Sequence, residues 1–227
     1  MKTEEKIFKA YEGVGKLSAL YDSMMTGSTI FGRLALKIFW GLSNSEHKKF
    51  LRQAFDGVPR NFAGKLLEIP AGTGVLSLPV YKNLPNAEII CADYSKAMLD
   101  AAKVHAEKLN LPNVKFIQAD VANLPFEDKT FDLILSIDGF HAFPNKTAAY
   151  TEIFRVLKFG GIFCGCMYVT GENFRTDIFV KHFCNRAGFF TPPHENILSL
   201  ESRLKSFYGQ VEISNVKSFA GFICRKI

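Results

Sequence analysis

The chain has 227 residues, 48% of them hydrophobic, which suffices for one full core in a single domain with an N-terminal extension and leaves no room for a second catalytic domain. Its formal charge of +6 is uneven, since residues 1–64 carry 10 basic and 6 acidic side chains and residues 65–170 carry 10 and 11; without a run of five Lys or Arg, the excess reads as solvated surface rather than a nucleic-acid footprint. Five cysteines, an odd number, and the lack of a secretory leader pattern fit a reducing cytoplasm.

In chain order, the first strong periodicity lies between Ser28 and Leu42. Ile30, Phe31, Leu34, Ala35, Ile38, Phe39 and Leu42 recur at helical spacing, and Leu36 and Trp40 widen the apolar face. Such a helix must be covered, and with Arg33 and Lys37 in it, it is too short and too charged to span a membrane. The first reading is a helical cap over an active site, with a dimer contact and a membrane-surface contact as alternatives. Residues 1–64 are therefore expected as an N-terminal helical cap and 65–227 as the main domain.

From residue 65 the pattern alternates: strand near 65–70, helix 74–82, strand 88–93, helix 95–109, strands 114–119 and 131–137, helix 146–158, strand 161–168. This predicts an α/β fold with a doubly wound, mostly parallel sheet. Pro112 and Asn113 stop the second helix, and Pro144 and Asn145 introduce the third. A further helix near 174–187 ends at Gly188, and 211–224 reads as strand, turn and strand. Cys164 and Cys166, two apart on a strand, share one face; this C-x-C has no second ligand pair and reads as buried packing, with no metal site.

The most informative stretch is Leu66-Leu67-Glu68-Ile69-Pro70-Ala71-Gly72-Thr73-Gly74, an apolar run that ends in an acid and breaks into a glycine-bearing turn. A ligand's backbone can approach closely there. About twenty residues on, Glu88 to Asp93 is a second strand ending in a carboxylate, the residue type that accepts hydrogen bonds from a ribose diol. A third strand-end acid, Asp120, follows Val114 to Ala119, and the G-x-G-x-x-G of hydride-transfer proteins is absent. With Asn123-Leu124-Pro125-Phe126, Phe131-Asp132-Leu133-Ile134-Leu135-Ser136 and Glu152 to Gly161 in order, the chain resembles the seven-strand, Rossmann-like (class I) S-adenosylmethionine (SAM)-dependent methyltransferases. Tyr11 and the run Tyr21-Asp22-Ser23-Met24-Met25 resemble the N-terminal part of the ubiquinone and menaquinone C-methyltransferase-like branch.

The resemblance implies a seven-stranded sheet whose last two strands include an antiparallel one. It also implies SAM as cofactor and S-adenosylhomocysteine (SAH) as product. It places Asp93 on the ribose hydroxyls, Asp120 with the Val121 backbone on the adenine amino group, Glu68 at the methionine end, and Tyr94 and Met98 beside adenine. Ala71, Gly72 and Gly74 form the cofactor loop, with Ser136 on the cofactor side of the fourth strand. Tyr94 is open between ring stacking and ordinary helix-start packing, and Tyr11 and Tyr21 between closing over the cofactor and plain packing. Pro70 departs from the family pattern, for it stands at the usual first glycine and has no N–H to offer.

Methyl transfer from a sulfonium requires alignment and exclusion of water, and a base only where the acceptor must lose a proton. The titratable candidates after the fourth strand are Asp138 and His141, either in acceptor chemistry or in a cofactor-shell or helix-entry role. Phe140 and Phe143 either wall an apolar acceptor pocket or fill core. Asp138-Gly139-Phe140-His141 stands where the resembled nucleobase enzymes carry (D/N/S)-P-P-(Y/F/W), which argues against DNA, and Thr191-Pro192-Pro193-His194 reads as a turn beyond the core. The expected partner is a small, partly apolar methyl acceptor, with no nucleic acid and no stable membrane insertion, acting as a monomer or homodimer.

Overall fold

In a computed structural model that describes residues 3–227, the side chain of Glu4 excepted, seven strands form one sheet. They are β1 (Lys65–Glu68), β2 (Glu88–Asp93), β3 (Val114–Gln118), β4 (Phe131–Ile137), β5 (Leu157–Tyr168), β6 (Gln210–Val216) and β7 (Phe219–Arg225), in the order β3-β2-β1-β4-β5-β7-β6. Strands β1 to β5 pair in parallel, and β7 runs antiparallel to both β5 and β6. The central strands are apolar at consecutive positions, Leu66-Leu67 and Leu133-Ile134-Leu135, as a sheet covered on both faces demands. Edge strand β6 instead alternates between half-buried and exposed residues.

Helices α1 (Thr3–Lys16), α2 (Ser18–Thr26), α3 (Ile30–Phe39) and α4 (Asn44–Gln53) precede the sheet. Within and after it come α5 (Leu78–Tyr81), α6 (Lys96–Leu109), α7 (Lys146–Val156) and α8 (Phe174–Phe179). The last continues through a π-helical turn (Val180–Cys184) into α9 (Asn185–Ala187), and α10 (Ile197–Phe207) leads into β6. One face of the sheet packs Ile134, Phe163 and Phe222 with Tyr150 and Ile153 of α7 and Leu200 and Leu204 of α10. The other packs Leu66, Ile89, Leu133 and Cys164 with Leu78 and Tyr81. Beside it, Cys166 and Phe219 pack with Leu36, Leu42, Phe50 and Ala54, so α3 and α4 share a core with the last strands. Cys164 and Cys166 do face the same side, and all five cysteines are unpaired and buried. Among the described residues no helix is long and apolar enough to cross a membrane.

Several expected boundaries move for identifiable reasons. The helix expected over 74–82 shrinks to α5, because Ser77 spends its hydroxyl on Glu68 without capping the helix, and Pro79 starts the first turn. Helix α6 ends at Leu109 as expected, but it is Asn110, left-handed at φ 53°, that ends it, two residues ahead of Pro112. Helix α7 ends at Val156 and β5 begins at once, with Leu157 paired to Phe131. Helix α10 was not anticipated, although Asn196 and Ser199 form a capping box ahead of Ile197, Leu200 and Leu204.

The larger correction concerns α3, which was expected to be covered. Gly32, Ala35 and Leu36 are buried, and Gly32 lies so close to the Ser23 carbonyl that a Cβ there would overlap it. The opposite side carries Ile30, Phe31, Leu34 and Ile38, and all four are exposed. A helix with apolar residues on both sides has met a neighbour on only one.

The close approach of β5 to β4 makes one stability prediction. Gly165 stands at φ 146°, and a Cβ at this position would overlap the Ser136 carbonyl oxygen in the adjacent strand. Gly165→Ala is expected to cost roughly 1–3 kcal/mol from overpacking. A denaturation midpoint equal to the parent's would show that the two strands separate without penalty.

Candidate cofactor site at the strand ends

The order of strands reverses at β1, which lies between β2 and β4, so the carboxyl ends of β1 and β4 flank the crevice where ligands bind in such sheets. Glu68 ends β1 and is 2% exposed; Ser77 Oγ donates to its Oε2 at 2.9 Å and Cys91 Sγ lies at 3.4 Å. Asp93 ends β2, and its two oxygens accept from the backbone N–H groups of Gly72 and Ser95, each at 2.8 Å. One carboxylate thus pins the loop after β1 to the start of α6. In that loop Gly72 and Gly74 have φ of 55° and 68°, a region where a side chain is strained. The space above Gly72 is open, whereas Gly74 presses on Leu78.

Pro70, where the peptide from Ile69 is cis, touches Gly139 after β4 so closely that a Cβ at Gly139 would overlap its Cδ. The same point is 2.9 Å from Ser136 Oγ, a fully buried hydroxyl without a hydrogen-bond partner. Asp138 follows at φ 51°, with Cys166 Sγ 3.9 Å from its Oδ1. Loops from β1 and β4 therefore meet around Pro70, Ser136, Gly139 and Asp138.

Three carboxyl groups gather here and none is in an ion pair among the described residues. Burial pushes Glu68 up to about 7, Asp93 up to about 6 and Asp138 up to about 7. The hydrogen bonds to Glu68 and Asp93 pull the other way without overcoming desolvation. Buried carboxyls with no cation beside them among the described residues are suited to a ligand that brings one, which would favour their ionised forms.

Helices α1 and α2 lie across this crevice. Tyr11 donates to the Phe189 carbonyl at 3.1 Å. Its phenol is raised by burial and then by the charges of Tyr21, Asp93 and Asp138, and that of Tyr21 by burial and then by Asp138 and Asp93, so both hydroxyls lie within electrostatic reach of the two acids. Two acids that the sequence did not single out hold the helices down. Glu12 accepts from Ser95 Oγ at 2.9 Å and from the Ala97 N–H at 3.2 Å, where its charge also favours the α6 N-terminus. Asp22 accepts from Thr73 Oγ1 at 2.5 Å and lies 3.4 Å from His105 Nε2, while His105 Nδ1 meets the Thr73 carbonyl at 2.9 Å. The only local signal was that both acids sit beside the singled-out tyrosines.

The remaining predicted residues divide. Ala71, Met98 and Val121 are buried at the loop ends, and Tyr94 is 52% exposed with Phe8 of α1 edge-on to its ring at 5.6 Å. Asp120, unlike the buried acids, is exposed beyond β3, its Oδ1 accepting from the Ala122 N–H. His141 is in a different environment altogether. Its ring is buried and stacked on Phe190 at 3.8 Å, its Nδ1 has no partner, and burial followed by His194 and Lys146 holds it far below the usual imidazole range. Phe140 and Phe143 pack against each other at 5.1 Å, with Phe140 also stacked on Tyr150. A surface depression of about 590 Å³ between α6 and β3 contains none of these groups.

Comparison with known proteins bears on the family and the fold. A family model described as a methyltransferase domain matches residues 62–204. A demethylmenaquinone methyltransferase from Thermus thermophilus is 35% identical over 120 residues, 53% of this chain and 54% of that protein. A ubiquinone/menaquinone biosynthesis C-methyltransferase from Idiomarina loihiensis is 37% identical over 122 residues, 51% of this chain and 47% of that one. The chain thus spans about half the length of these two curated relatives. In fold it is similar to a SAM-dependent methyltransferase from Thermotoga maritima, with a TM-score of 0.68 and 15% identity over 97% of this chain and 100% of the other.

Proposed function

Since this chain belongs to the methyltransferase-domain family, we propose that it transfers a methyl group from SAM to a small, partly apolar acceptor. The observation that carries the reading is the crevice itself, where buried Glu68, Asp93 and Asp138 have no ion-pair partner among the described residues and lie beside a glycine loop with open space at Gly72. A ligand with a sulfonium and an ammonium compensates those charges. Asp93 accepts a backbone N–H bond on each oxygen and keeps lone pairs for a ribose diol. Buried Ser136 Oγ, without a partner, is a further donor at the same place.

In this reading Gly72 and Gly74, with Pro70 and Ala71, shape the loop around the cofactor, Glu68 stands at its methionine end, and Tyr94, Met98, Asp120 and Val121 surround adenine. Bound there, the cofactor supplies an electrophilic methyl whose transfer discharges the sulfonium. The chain's own residues align the acceptor and keep water out, with α1 and α2 of the 1–64 segment closing the crevice through Tyr11, Tyr21, Glu12 and Asp22. Asp138 takes the acceptor proton, because it shares the crevice with Asp93 and both tyrosines whereas His141 is locked in a ring stack. The names of the two relatives make a menaquinone-type ring the first acceptor class to test. Five unpaired cysteines fit a cytoplasmic enzyme.

Thermal unfolding with candidate ligands tests the cofactor directly. At about a hundred times the dissociation constant, SAM and SAH are expected to add ~2.7 kcal/mol, or roughly 5–10 °C for a domain of this size. NAD is expected to add nothing. A shift with NAD and none with SAM or SAH would replace methyl transfer by dinucleotide chemistry.

A further inference from the structure

The uncovered face of α3 has a chemistry that identifies its occupant. Ile30, at 79% exposure, lies with Phe31, Leu34 and Ile38 on the side away from buried Gly32 and Leu36. Helix α8 packs beside it, with Phe39 stacked on Phe179 at 4.6 Å, and adds Phe174, also 79% exposed, and Phe183 across the π-helical turn. Large apolar side chains exposed together on two touching helices mark an interaction surface.

The charge on these two helices is mostly of one sign, although exposed Glu172, which accepts from Asn215 Nδ2 at 3.1 Å, stands just ahead of α8. Between Leu17 and Leu42, and between Asn173 and Gly188, the carboxylates are Asp22 and Asp177 alone. Both point inward: Asp22 is held by Thr73, and Asp177 accepts from Tyr168 Oη at 2.6 Å and the Gly171 N–H at 2.9 Å. The same stretches carry Arg33, Lys37, Arg175, Lys181 and Arg186, all exposed and, among the described residues, none in an ion pair. Exposed apolar side chains flanked by unpaired cations match an anionic lipid surface, where the apolar groups enter the acyl boundary and the cations meet the headgroups. A second copy of this chain fits poorly, since a two-fold contact would bring the same cations against one another.

We infer that the α3 and α8 face docks this protein peripherally on an anionic lipid bilayer, with α1 and α2, which lie across the strand-end crevice, next to the docked surface. This rests on the surface alone and is independent of the methyl-transfer reading. The test is co-sedimentation of the full chain with phosphatidylcholine vesicles, with and without about 30% phosphatidylglycerol, a typical anionic surface. Partitioning onto the anionic vesicles is expected to exceed that onto phosphatidylcholine alone by roughly tenfold and to weaken as salt rises. Phe31→Ser with Leu34→Ser, and separately Lys37→Glu with Lys181→Glu, are each expected to lower it by roughly tenfold or more while the melting temperature is retained, because all four side chains are exposed. No binding to anionic vesicles overturns the inference, as does binding that the apolar double variant leaves unchanged. A dimer that the apolar variant dissociates, with vesicles left unbound, would assign the face to self-association.

Discussion

Asp138→Asn is expected to lower turnover by about 10²–10⁴-fold, the range that a positioned general base supplies, while SAH affinity stays within about threefold. The side chain is well placed for the role. Burial lifts it to about 7, so it exchanges its proton in the working range, and the side-chain contact it receives from Cys166 Sγ is weak. The parent's kcat/KM is expected to rise with pH through about 7 and then level off, and the variant's to be flat there. Stability moves in the opposite sense. A carboxyl whose folded value is raised binds its proton more tightly in the folded state, so its contribution falls as pH rises from about 4 to about 7. Relative to the parent, Asp138→Asn is therefore expected to gain stability over that interval. His141→Gln serves as the contrast, with turnover within about threefold, because its neutral ring is committed to Phe190. If the His141 variant collapsed and the Asp138 variant did not, the proton-transfer roles would be reversed.

Asp93→Ala carries the second large effect, a loss of about 1–3 kcal/mol in SAM or SAH affinity, or roughly 5- to 150-fold. Two consequences combine in it. The carboxylate expected to receive the ribose hydroxyls is gone, and the Gly72 and Ser95 N–H groups lose their common acceptor, so the glycine loop is no longer tied to α6. The apo protein is expected to suffer less, since removing an acid that burial has raised to about 6 also removes its desolvation cost. Titration calorimetry decides the matter: unchanged SAH affinity in a folded Asp93→Ala protein would take Asp93 out of the site.

What could be read from the chain itself was local. Apolar runs at Leu66-Leu67 and Leu133 to Leu135 declare buried strands, and an acid closing such a run stands at a carboxyl end wherever the strand is placed. That is why Glu68, Asp93 and the Gly72–Gly74 loop were legible together, and why Asn145 ahead of α7 was legible as its start. Asp120 followed the same local rule but ended exposed, because β3 is the sheet edge and has a neighbour on one side only.

The tertiary structure decided everything that depends on residues remote in sequence. His141 became a packed ring because Phe190, about fifty positions on, lies against it, and Asp138 shares its crevice with Tyr11 and Tyr21 because α1 and α2 lie across it. Glu12 and Asp22 carry no local mark of their partners, which are Ser95, Thr73 and His105 in other layers of the fold. Helix α3 shows the division most plainly. Its periodicity specified a helix with two apolar sides, but only the docking of Gly32 against Ser23 determined which side is buried and which faces outward. Periodicity is a property of neighbours along the chain, whereas burial, and with it the raised pKa of Glu68, Asp93 and Asp138, is set by what the rest of the molecule brings to a surface.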